Sequence, residues 1–375
     1  MPSWLITILG AVYTRIPSAM RPRLKRVFLW TSLRLQALFL RRRVVRGTRI
    51  EFLDFEIANL EPFEVLGAGP SEVSVRAHAS CVSPGTERAV LCGLPGARRA
   101  FPYAPGYSTT GKVVDAGKKS GFRPGERVAG RMSHASHGVM TPASMFRVPD
   151  GVSDQDASFI ELGIICLQGV RKAAIKPGER VAVVGQGLIG QLAARLARLA
   201  GAGSVVAVAA SRRRIQTAMR EGAADDFVAL SDGAGAIERI EADVVIEAVG
   251  SSPAIALAMA AARRGGRVSL LGSSRDLGRN LDWATLAQER DVTLIGAHIG
   301  VLPQRDASAG MWTYRQEGEL FMALLAENRL TMGGLITWRP APDDCNRVYE
   351  VMASGGGEHV GVVFDWARPA AATAS

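Results

Sequence analysis

Three glycines in the stretch Val183–Arg214, VVGQGLIGQLAARLARLAGAGSVVAVAASRRR, have the G-x-G-x-x-G spacing of a turn that cradles phosphate groups. In such a turn Gly185 permits the sharp reversal, Gly187 lets the backbone approach a pyrophosphate, and Gly190 lets the next helix pack closely. The spacing alone is weak evidence, so the surrounding elements decide whether a ligand binds here.

The elements on either side of this turn are those of a nucleotide-binding unit. The strand VAVV precedes it, an amphipathic helix with Leu192, Leu196 and Leu199 follows, and a second apolar strand closes the unit. The N-terminus of that helix, at Leu188 and Ile189, supplies N–H donors and partial positive charge to phosphates. The context favours a dinucleotide site over the alternative, a glycine-rich turn without a ligand.

The end of the second strand predicts which dinucleotide binds. Sites that select NAD place an acid there, which accepts from both ribose hydroxyls. Here the strand ends in Ser211, Arg212 and Arg213, whose hydroxyl and guanidinium groups suit a 2′-phosphate. We therefore predict NADP(H), with NAD(H) as the alternative. In that alternative the basic run is a solvated helix start, with Arg214 pointing away.

Composition and charge exclude several classes of protein. The net charge of +10 belongs to residues 1–50, which hold eleven basic and no acidic residues, so the remainder sums to about −1. The folded body is therefore not a nucleic-acid-binding module. The four cysteines are widely spread and form no C-x-x-C pair. This spacing argues against a disulfide framework and a four-thiolate zinc, and it predicts a cytoplasmic protein.

Residues 1–48 form a basic and apolar N-terminal extension. Its stretch Arg26–Arg43 is apolar and flanked by arginines, but Arg34 interrupts it, so a transmembrane helix is a poor interpretation. An amphipathic helix on an anionic membrane surface fits residues 1–46 better. The alternatives are a loosely docked tail, or translated sequence upstream of a true start such as Met20.

Short strands dominate residues 49–153. The stretch Arg49–Ile57 alternates apolar and polar residues imperfectly, Glu72–Ala79 alternates well, and each is predicted to be a strand; turns rich in glycine and proline follow closely. This pattern predicts a small, β-rich domain that resembles a barrel.

Strands and helices alternate over residues 154–305, which predicts a doubly wound parallel sheet and an α/β fold. The last segment, 306–375, contains a predicted helix around Gly318–Asn328 and a final strand, HVGVVFDW. We expect this segment to pack back on the β-rich domain.

Several motifs along residues 72–366 resemble the medium-chain dehydrogenase/reductase superfamily, the alcohol dehydrogenase type. They are EVSVRAHASCVSPGTE, PGYSTTGKVVDAGKKSGFRPGERVAG, KPGERVAVVGQGLIG and VVIEAVG…GGRVSLLG. The resemblance implies a GroES-like catalytic domain beside a Rossmann cofactor domain, and hydride transfer to or from a small-molecule substrate. It implies that Val249, Gly250 and Gly272 line the nicotinamide end. Relatives often pair as homodimers through the edge of the cofactor sheet, although the sequence itself does not decide between a homodimer and a monomer.

The chain departs from this family where zinc would bind. Zinc-dependent members carry a Cys in the first turn and a His-Glu pair in the second, whereas this chain has Pro84 and Tyr107-Ser108. Glu161 matches a carboxylate that completes the metal shell in some polyol dehydrogenases, but one carboxylate cannot hold zinc. We therefore expect no metal. The substitutes to consider, His78, Cys81, His134 and His137, have ordinary strand or loop positions.

Without a metal, side chains must polarise the substrate. Thr86 stands at the family's proton-relay position, and Tyr107 occupies a former ligand position, from which its phenol could donate to a carbonyl oxygen. Simple space filling is an equal alternative for Tyr107. Glu87 is expected to orient the loop or to pair with an arginine. Glu161 is either a buried proton acceptor or a hydrogen-bonded remnant, and we favour the remnant.

These observations predict a zinc-independent, NADP(H)-linked oxidoreductase of an alcohol, a carbonyl compound or an activated alkene. A second hypothesis is a dehydrogenase of a larger, membrane-associated or biosynthetic substrate. It draws on a narrower resemblance of S-P-G-T-E and P-G-Y-S to bacteriochlorophyllide dehydrogenases and oxidoreductases of sugar or polysaccharide pathways. A third hypothesis, from another class, is a nucleotide-binding interaction protein without catalysis.

Overall fold

The computed structural model describes most of the chain after the basic extension. It covers residues 33–40, 42–97, 99–273, 281, 284–307, 311–355 and 359–368. Most of the predicted membrane-surface stretch, including Met20, lies outside the described residues.

The described strands form one hairpin and two large sheets. In chain order they are β1 (Val44–Asp54), β2 (Ile57–Leu66), β3 (Val73–Cys81), β4 (Thr109–Ala116), β5 (Arg127–Gly130), β6 (His137–Met140), β7 (Met145–Arg147), β8 (Arg180–Val184), β9 (Ser204–Ala209), β10 (Asp226–Ala229), β11 (Ala242–Glu247), β12 (Ala262–Leu270), β13 (Thr293–Gly296), β14 (Ile336–Trp338) and β15 (Gly361–Asp365).

The described helices follow the same order. They are the N-terminal helix (residues 33–40), α1 (Pro84–Leu91), α2 (Asp154–Ala157), α3 (Ile160–Lys172), α4 (Leu188–Leu199), α5 (Arg212–Arg220), α6 (Ala234–Glu238), α7 (Ser252–Ala261), α8 (Tyr314–Ala326) and α9 (Cys345–Ala353). A π-helical turn spans Ala284–Glu289. Within the described part of the chain, no helix is long and apolar enough to cross a bilayer.

Strands β1 and β2 form an antiparallel hairpin whose turn lies at Phe55 and Glu56. Glu56 adopts a positive φ of 58°, which closes the turn without a glycine. The prediction of one strand over Arg49–Ile57 is therefore wrong, because that stretch crosses the turn. Its imperfect alternation reflects the change of strand rather than a half-buried face.

The β-rich half is a seven-stranded sheet in the order β14-β15-β3-β4-β5-β7, with β6 paired to β3. The C-terminal strands β14 and β15 extend this sheet, and β15 pairs antiparallel with β3 through Phe364 and Ser80. The chain therefore returns to its first half after the cofactor sheet. His137, expected in a loop, begins β6 instead and faces Arg76 across the strand pair.

The second large sheet is parallel throughout, in the order β10-β9-β8-β11-β12-β13. Both faces of it are covered: Val181 and Val183 join one core cluster, while Ala182 and Val184 join the other. The prediction of a doubly wound α/β sheet is confirmed. The chain leaves β8 toward β9 on one side and meets β11 on the other, so ligands are expected at the carboxyl end of β8.

One helix ends earlier than its composition suggests. The composition of the stretch PAIALAMAAARR predicts a helix that continues to Arg264, but α7 ends at Ala261 and Arg263 lies in β12. The Arg263 Nε donates to Asp243 Oδ1 at 2.7 Å, which ties the strand start to β11. The pairing of β12 with β11 therefore replaces the helix that composition alone favours at this boundary.

Candidate cofactor and active site

The glycine turn opens onto a cavity of about 490 Å³ at the carboxyl end of β8. Pro84 and Gly85, at the start of α1 in the β-rich half, close it from the opposite side. The predicted cofactor residues that line it are Gly185, Gly187, Leu188, Ile189, Ser211 and Val249. Because α4 begins at Leu188, the unpaired N–H groups of its first turn lie at this cavity, where they suit an anion.

The three glycines of the turn have different surroundings. Gly185 adopts a positive φ of 94°, a conformation that favours glycine. A Cβ at Gly190 would lie 1.7 Å from the carbonyl oxygen of Gly185, so the helix can approach only without a side chain. A Cβ at Gly187 would meet no described atom within 4 Å, and it would project into open space that Gly187 itself lines.

The basic run after β9 divides between the cavity and the surface. Ser211 caps α5, accepting from the N–H of Arg214, and it also lines the cavity. The Arg212 guanidinium donates to Asp232 Oδ1 at 2.7 Å, and the Arg213 side chain is exposed. Arg214, the next residue, is half-buried and lines the cavity.

A second cavity, of about 350 Å³, shares Pro84, Gly85, Gly187, Leu188, Arg214 and Val249 with the first. Arg88 and His359 add basic groups to its wall, and Trp338 stacks on the His359 ring with centroids 4.5 Å apart. Burial is the main reason that the pKa of His359 falls below its usual value, and Arg213 and Arg347 also lower it. Sequence reasoning found no such charge cluster, because its members come from three distant segments.

Of the three residues predicted to face the nicotinamide, Val249 lines the first cavity, and Gly250 and Gly272 lie next to it. Val249 is half-exposed and lines the cavity. Gly250 has a φ of 84°, and a Cβ at Gly272 would lie 2.3 Å from the Gly250 nitrogen. These three positions are therefore brought together, and two of them require the absence of a side chain.

Tyr107 lies on the β-rich side with two other hydroxyl groups. Its phenol donates to Ser83 Oγ at 2.7 Å, and Thr86, exposed on α1, also interacts with it. Burial raises the pKa of Tyr107 to about 12. A phenol with so high a pKa stays protonated at neutral pH and can act only as a donor.

A buried polar cluster around Glu87 adjoins Ser83, the hydrogen-bond partner of Tyr107. The Glu87 carboxylate accepts from the Ser83 N–H at 2.7 Å and from the Tyr349 phenol at 2.6 Å. His134 Nε2 lies 3.2 Å from Glu87 Oε2, and its Nδ1 lies 2.7 Å from Ser80 Oγ. The expectation that Glu87 pairs with an arginine is wrong, because histidine, tyrosine and backbone groups surround its carboxylate.

Glu161 belongs to a separate cluster at the start of α3. Its carboxylate accepts from Arg131 Nε at 2.9 Å and from the Tyr314 hydroxyl, and Arg131 lies over the Tyr314 ring. Burial raises the pKa of the Glu161 carboxyl, against the opposing effect of Arg131. The Glu161 N–H donates to Ser108 Oγ, and Ser108 is the residue that follows Tyr107 in the sequence. Both carboxylate oxygens are therefore engaged within the protein.

The residues at the family's zinc positions do not fit the metal. Pro84 has no ligand atom, the Tyr107 hydroxyl is directed to Ser83, and the Glu161 oxygens are bonded to Arg131 and Tyr314. Across the described ranges, no group of three or more His, Cys, Asp or Glu side chains is placed to hold an ion. Zinc requires about three protein ligands in a catalytic site, and this donor set does not supply them.

Comparisons with known proteins bear on the same region. Residues 189–313 match the family model of zinc-binding dehydrogenases. Sorbitol dehydrogenase of Bacillus subtilis (strain 168) is 28% identical over 133 residues, which cover 34% of this chain and 38% of that protein. D-guloside 3-dehydrogenase of Escherichia coli (strain K12) is 25% identical over 242 residues, which cover 62% and 68%. The chain therefore matches less than two fifths of the length of the first relative.

The fold extends further than the sequence matches. A solved structure described as a zinc-binding dehydrogenase of Sinorhizobium meliloti 1021, bound to NADP, superimposes with a TM-score of 0.73 at 21% identity. The match covers 86% of this chain and 99% of that one. The likeness confirms the predicted combination of a GroES-like half and a Rossmann half.

Proposed function

Because the chain belongs to the medium-chain dehydrogenase/reductase superfamily, we propose that it transfers hydride between NADP(H) and an alcohol or carbonyl carbon without zinc. The observation that carries this proposal is the cavity that runs from the glycine turn to Ser211 and Arg214. A dinucleotide needs an extended cleft with N–H donors at its phosphates, and this cavity supplies both.

The preference for NADP(H) rests on Arg214 and on the missing acid. The end of β9 offers a serine hydroxyl and a guanidinium where NAD-selective sites hold a carboxylate. A guanidinium binds phosphate through charge-assisted, bidentate hydrogen bonds. Arg214 is the member of the basic run that we assign to the 2′-phosphate, while Arg212 is held by Asp232.

The nicotinamide supplies the hydride when the cofactor is bound. In the direction of carbonyl reduction, Tyr107 is assigned as the proton donor to the substrate oxygen, to which its hydroxyl must turn from Ser83 Oγ, and Glu87 holds the loop. A proton from solvent then restores the Tyr107 hydroxyl. Thr86, exposed at the start of α1, is the second hydroxyl that can exchange a proton with solvent. Glu161 is assigned a positioning role, since its carboxylate is occupied by Arg131 and Tyr314.

The substrate class is proposed from the relatives. Sorbitol dehydrogenase and D-guloside 3-dehydrogenase are named for polyhydroxylated compounds, so a polyol or a sugar derivative is the first class to test. A larger, membrane-associated or biosynthetic substrate is the second hypothesis. A protein that binds the nucleotide without turnover is the third, and the same assay separates it from the others.

Turnover with NADP⁺ over a panel of polyols, sugars and simple alcohols tests the proposal, with NADPH and the matching ketones in reverse. We expect Tyr107→Phe to lower kcat by about 100-fold on the best substrate, the typical contribution of a proton donor, while the Kd for NADPH stays within about twofold. Tyr103→Phe serves as the matched control. Tight NADPH binding without turnover on any compound would favour the interaction protein, and an unchanged kcat in Tyr107→Phe would remove Tyr107 from the mechanism.

We also propose that the N-terminal helix contacts an anionic membrane surface. Leu35, Leu38 and Phe39 lie on one face and are 62%, 79% and 88% exposed, whereas Ala37 is buried. Exposed apolar side chains beside the basic extension of residues 1–50 suit lipid tails and anionic head groups together.

Binding to vesicles of neutral lipid with and without phosphatidylserine tests this contact. We expect the pair Leu38→Asp and Phe39→Asp to weaken binding at least about tenfold, because each buried apolar side chain contributes about 1.5 to 3 kcal/mol. Val114→Asp, at an exposed position on β4, is the control. Vesicle binding that survives the pair, or that is missing in the wild type, would refute the contact.

The cellular location and the oligomeric state of the protein are also proposed. We place the protein in the cytoplasm, where its four cysteines stay reduced. We also propose a homodimer joined through an edge of the cofactor sheet, whose outer strands are β10 and β13. Sedimentation of the full chain at micromolar concentration distinguishes this dimer from a monomer.

A further inference from the structure

A buried carboxyl group lies two residues before Val249, which lines the cofactor cavity. Glu247 is the last residue of β11, and its side chain is fully buried. Its Oε1 accepts from the backbone N–H of Val249 at 2.7 Å and of Gly250 at 2.8 Å. Among the described residues, Oε2 has no hydrogen-bond partner. Burying a carboxyl group is costly, and burial raises the pKa of Glu247. Because its burial is unfavourable, we looked for the interaction that this carboxyl group provides at its position.

The same carboxyl group touches all three positions that the family resemblance places at the nicotinamide end. It holds the N–H groups of Val249 and Gly250, and a Cβ at Gly272 would lie 2.8 Å from its Oε2. The main chain closes the arrangement, since the Gly272 N–H donates to the Glu247 carbonyl at 2.8 Å. One residue therefore links the ends of two adjacent strands, β11 and β12, at this edge of the sheet.

The turn that Glu247 holds is also packed against the glycine turn. A Cβ at Gly185 would lie 2.5 Å from Val249 Cγ2, so the Val249 side chain rests on the phosphate-binding backbone. The Ala248 N–H donates to the Val184 carbonyl at 2.9 Å, which fixes the other end of this turn to β8. Displacing Val249 would therefore change the shape of the cavity at both the nicotinamide end and the phosphate turn.

We propose that Glu247 is the positioning residue of the nicotinamide end: its carboxyl oxygen holds the Val249–Gly250 backbone so that Val249 faces the ligand. The assignment rests on the proposed function for the identity of that ligand. What the turn requires of residue 247 is an acceptor oxygen at the position of Oε1. A glutamine provides such an oxygen in a side chain of the same length, whereas an alanine leaves two N–H groups without an acceptor.

The test compares Glu247→Ala, Glu247→Gln and the exposed control Glu238→Ala in the full chain. Amide hydrogen exchange of the peptide containing Val249 and Gly250 is followed without nucleotide, and the Kd for NADPH is measured by fluorescence. In Glu247→Ala we expect exchange at least about tenfold faster and NADPH binding at least about tenfold weaker. In Glu247→Gln and in the control both quantities stay within about threefold of the wild type.

Glu247→Ala with wild-type exchange and affinity would overturn the proposal. Glu247→Gln as impaired as Glu247→Ala would also overturn it, because the charge rather than the acceptor would then matter. Should Glu247→Ala fail to fold, Glu247→Asp gives the decision, because its shorter side chain keeps a carboxyl group but withdraws the acceptor oxygen from the Val249 and Gly250 N–H groups. Wild-type exchange and affinity in Glu247→Asp would contradict the proposal. Loss of NADPH binding in the wild type would contradict only the proposed function, since the exchange rates still test Glu247.

Discussion

On the cofactor side of the cleft, Gly185, Gly187 and Gly190 fall within six consecutive residues, and the backbone they shape lines the cavity. On the opposite side, the hydroxyl and carboxyl groups come from loops and helices far apart in the chain. Glu87 and Tyr349 are bonded across 262 residues, and Glu87 and His134 across 47. A site built from one backbone turn leaves a readable local pattern, whereas a site built from distant side chains leaves none.

The two sides should therefore fail in different ways when single residues change. A change at Gly187, on the cofactor side, removes ligand affinity and leaves the fold intact, because a side chain there enters open space. A change in the buried cluster on the other side removes several partners at once and lowers the stability of the fold.

The largest effect is expected from Glu87→Ala. The substitution leaves the Tyr349 hydroxyl, His134 and the Ser83 N–H without their shared acceptor inside the protein. Removing one partner from a buried ionic cluster costs about 3 to 5 kcal/mol of unfolding free energy. Urea unfolding measures this loss of unfolding free energy, and Glu238→Ala, at an exposed position, is the control. A loss below about 1 kcal/mol would show that the cluster does not organise this half.

Gly187→Ala is expected to act on the ligand alone. Its Cβ would meet no atom of the described chain within 4 Å, so the melting temperature of the free protein should stay unchanged. The methyl group would occupy the space through which a pyrophosphate approaches the turn, and we expect an NADPH Kd about 100-fold weaker, or about 2.7 kcal/mol. Gly333→Ala, at an exposed loop glycine, is the control. A shifted melting temperature with unchanged NADPH affinity would show instead that Gly187 serves the fold and not the ligand.

Arg214→Ala sharpens the cofactor assignment. A charge-assisted hydrogen bond to the 2′-phosphate is worth about 1.5 to 3 kcal/mol, so the Kd for NADPH should weaken about 10- to 100-fold. The Kd for NADH should stay within about twofold. Arg212→Ala is the matched control, since Asp232 holds that guanidinium. Greater sensitivity of Arg212→Ala than of Arg214→Ala would move the 2′-phosphate toward the surface side of α5.

The smallest effect concerns the pH dependence of stability. Burial raises the pKa of the Glu161 carboxyl above its usual value of 4.5. As the pH rises from 4.5 to the raised pKa, the unfolded chain has lost this proton and the folded chain keeps it. The group therefore costs stability over that window, by at most about 1.4 kcal/mol per pH unit. Urea unfolding from pH 4 to 7 should show a shallower decline in Glu161→Gln than in the wild type or in Glu238→Gln. An identical decline would exclude this assignment.

The comparison also explains what could be predicted from the sequence. The parallel sheet and its turn follow from apolar strands, an amphipathic helix and glycine spacing, which are all local signals. The hairpin turn at Phe55 and Glu56 carries no glycine to mark it, and the end of α7 is set by the pairing of β12 with β11, which is not a local signal.

The polar clusters could not be predicted for a different reason. The Glu87 cluster needs Tyr349, which reaches it only because β14 and β15 return to the first sheet. Glu247 is the exception, since an acid just before the A-V-G stretch at the end of β11 is a local feature of the sequence. Its role could have been sought in the N–H groups two and three residues later.

Calorimetric titration of the wild-type chain with NADPH and with NADH, at one pH and one salt concentration, tests the central claim most directly. We predict saturable binding of both nucleotides to one site per chain. NADPH should bind at least about tenfold more tightly, because one guanidinium–phosphate contact contributes that much affinity. Equal or tighter binding of NADH would contradict the role of Arg214. Binding of neither would contradict the assignment of the glycine-turn cavity as a dinucleotide site.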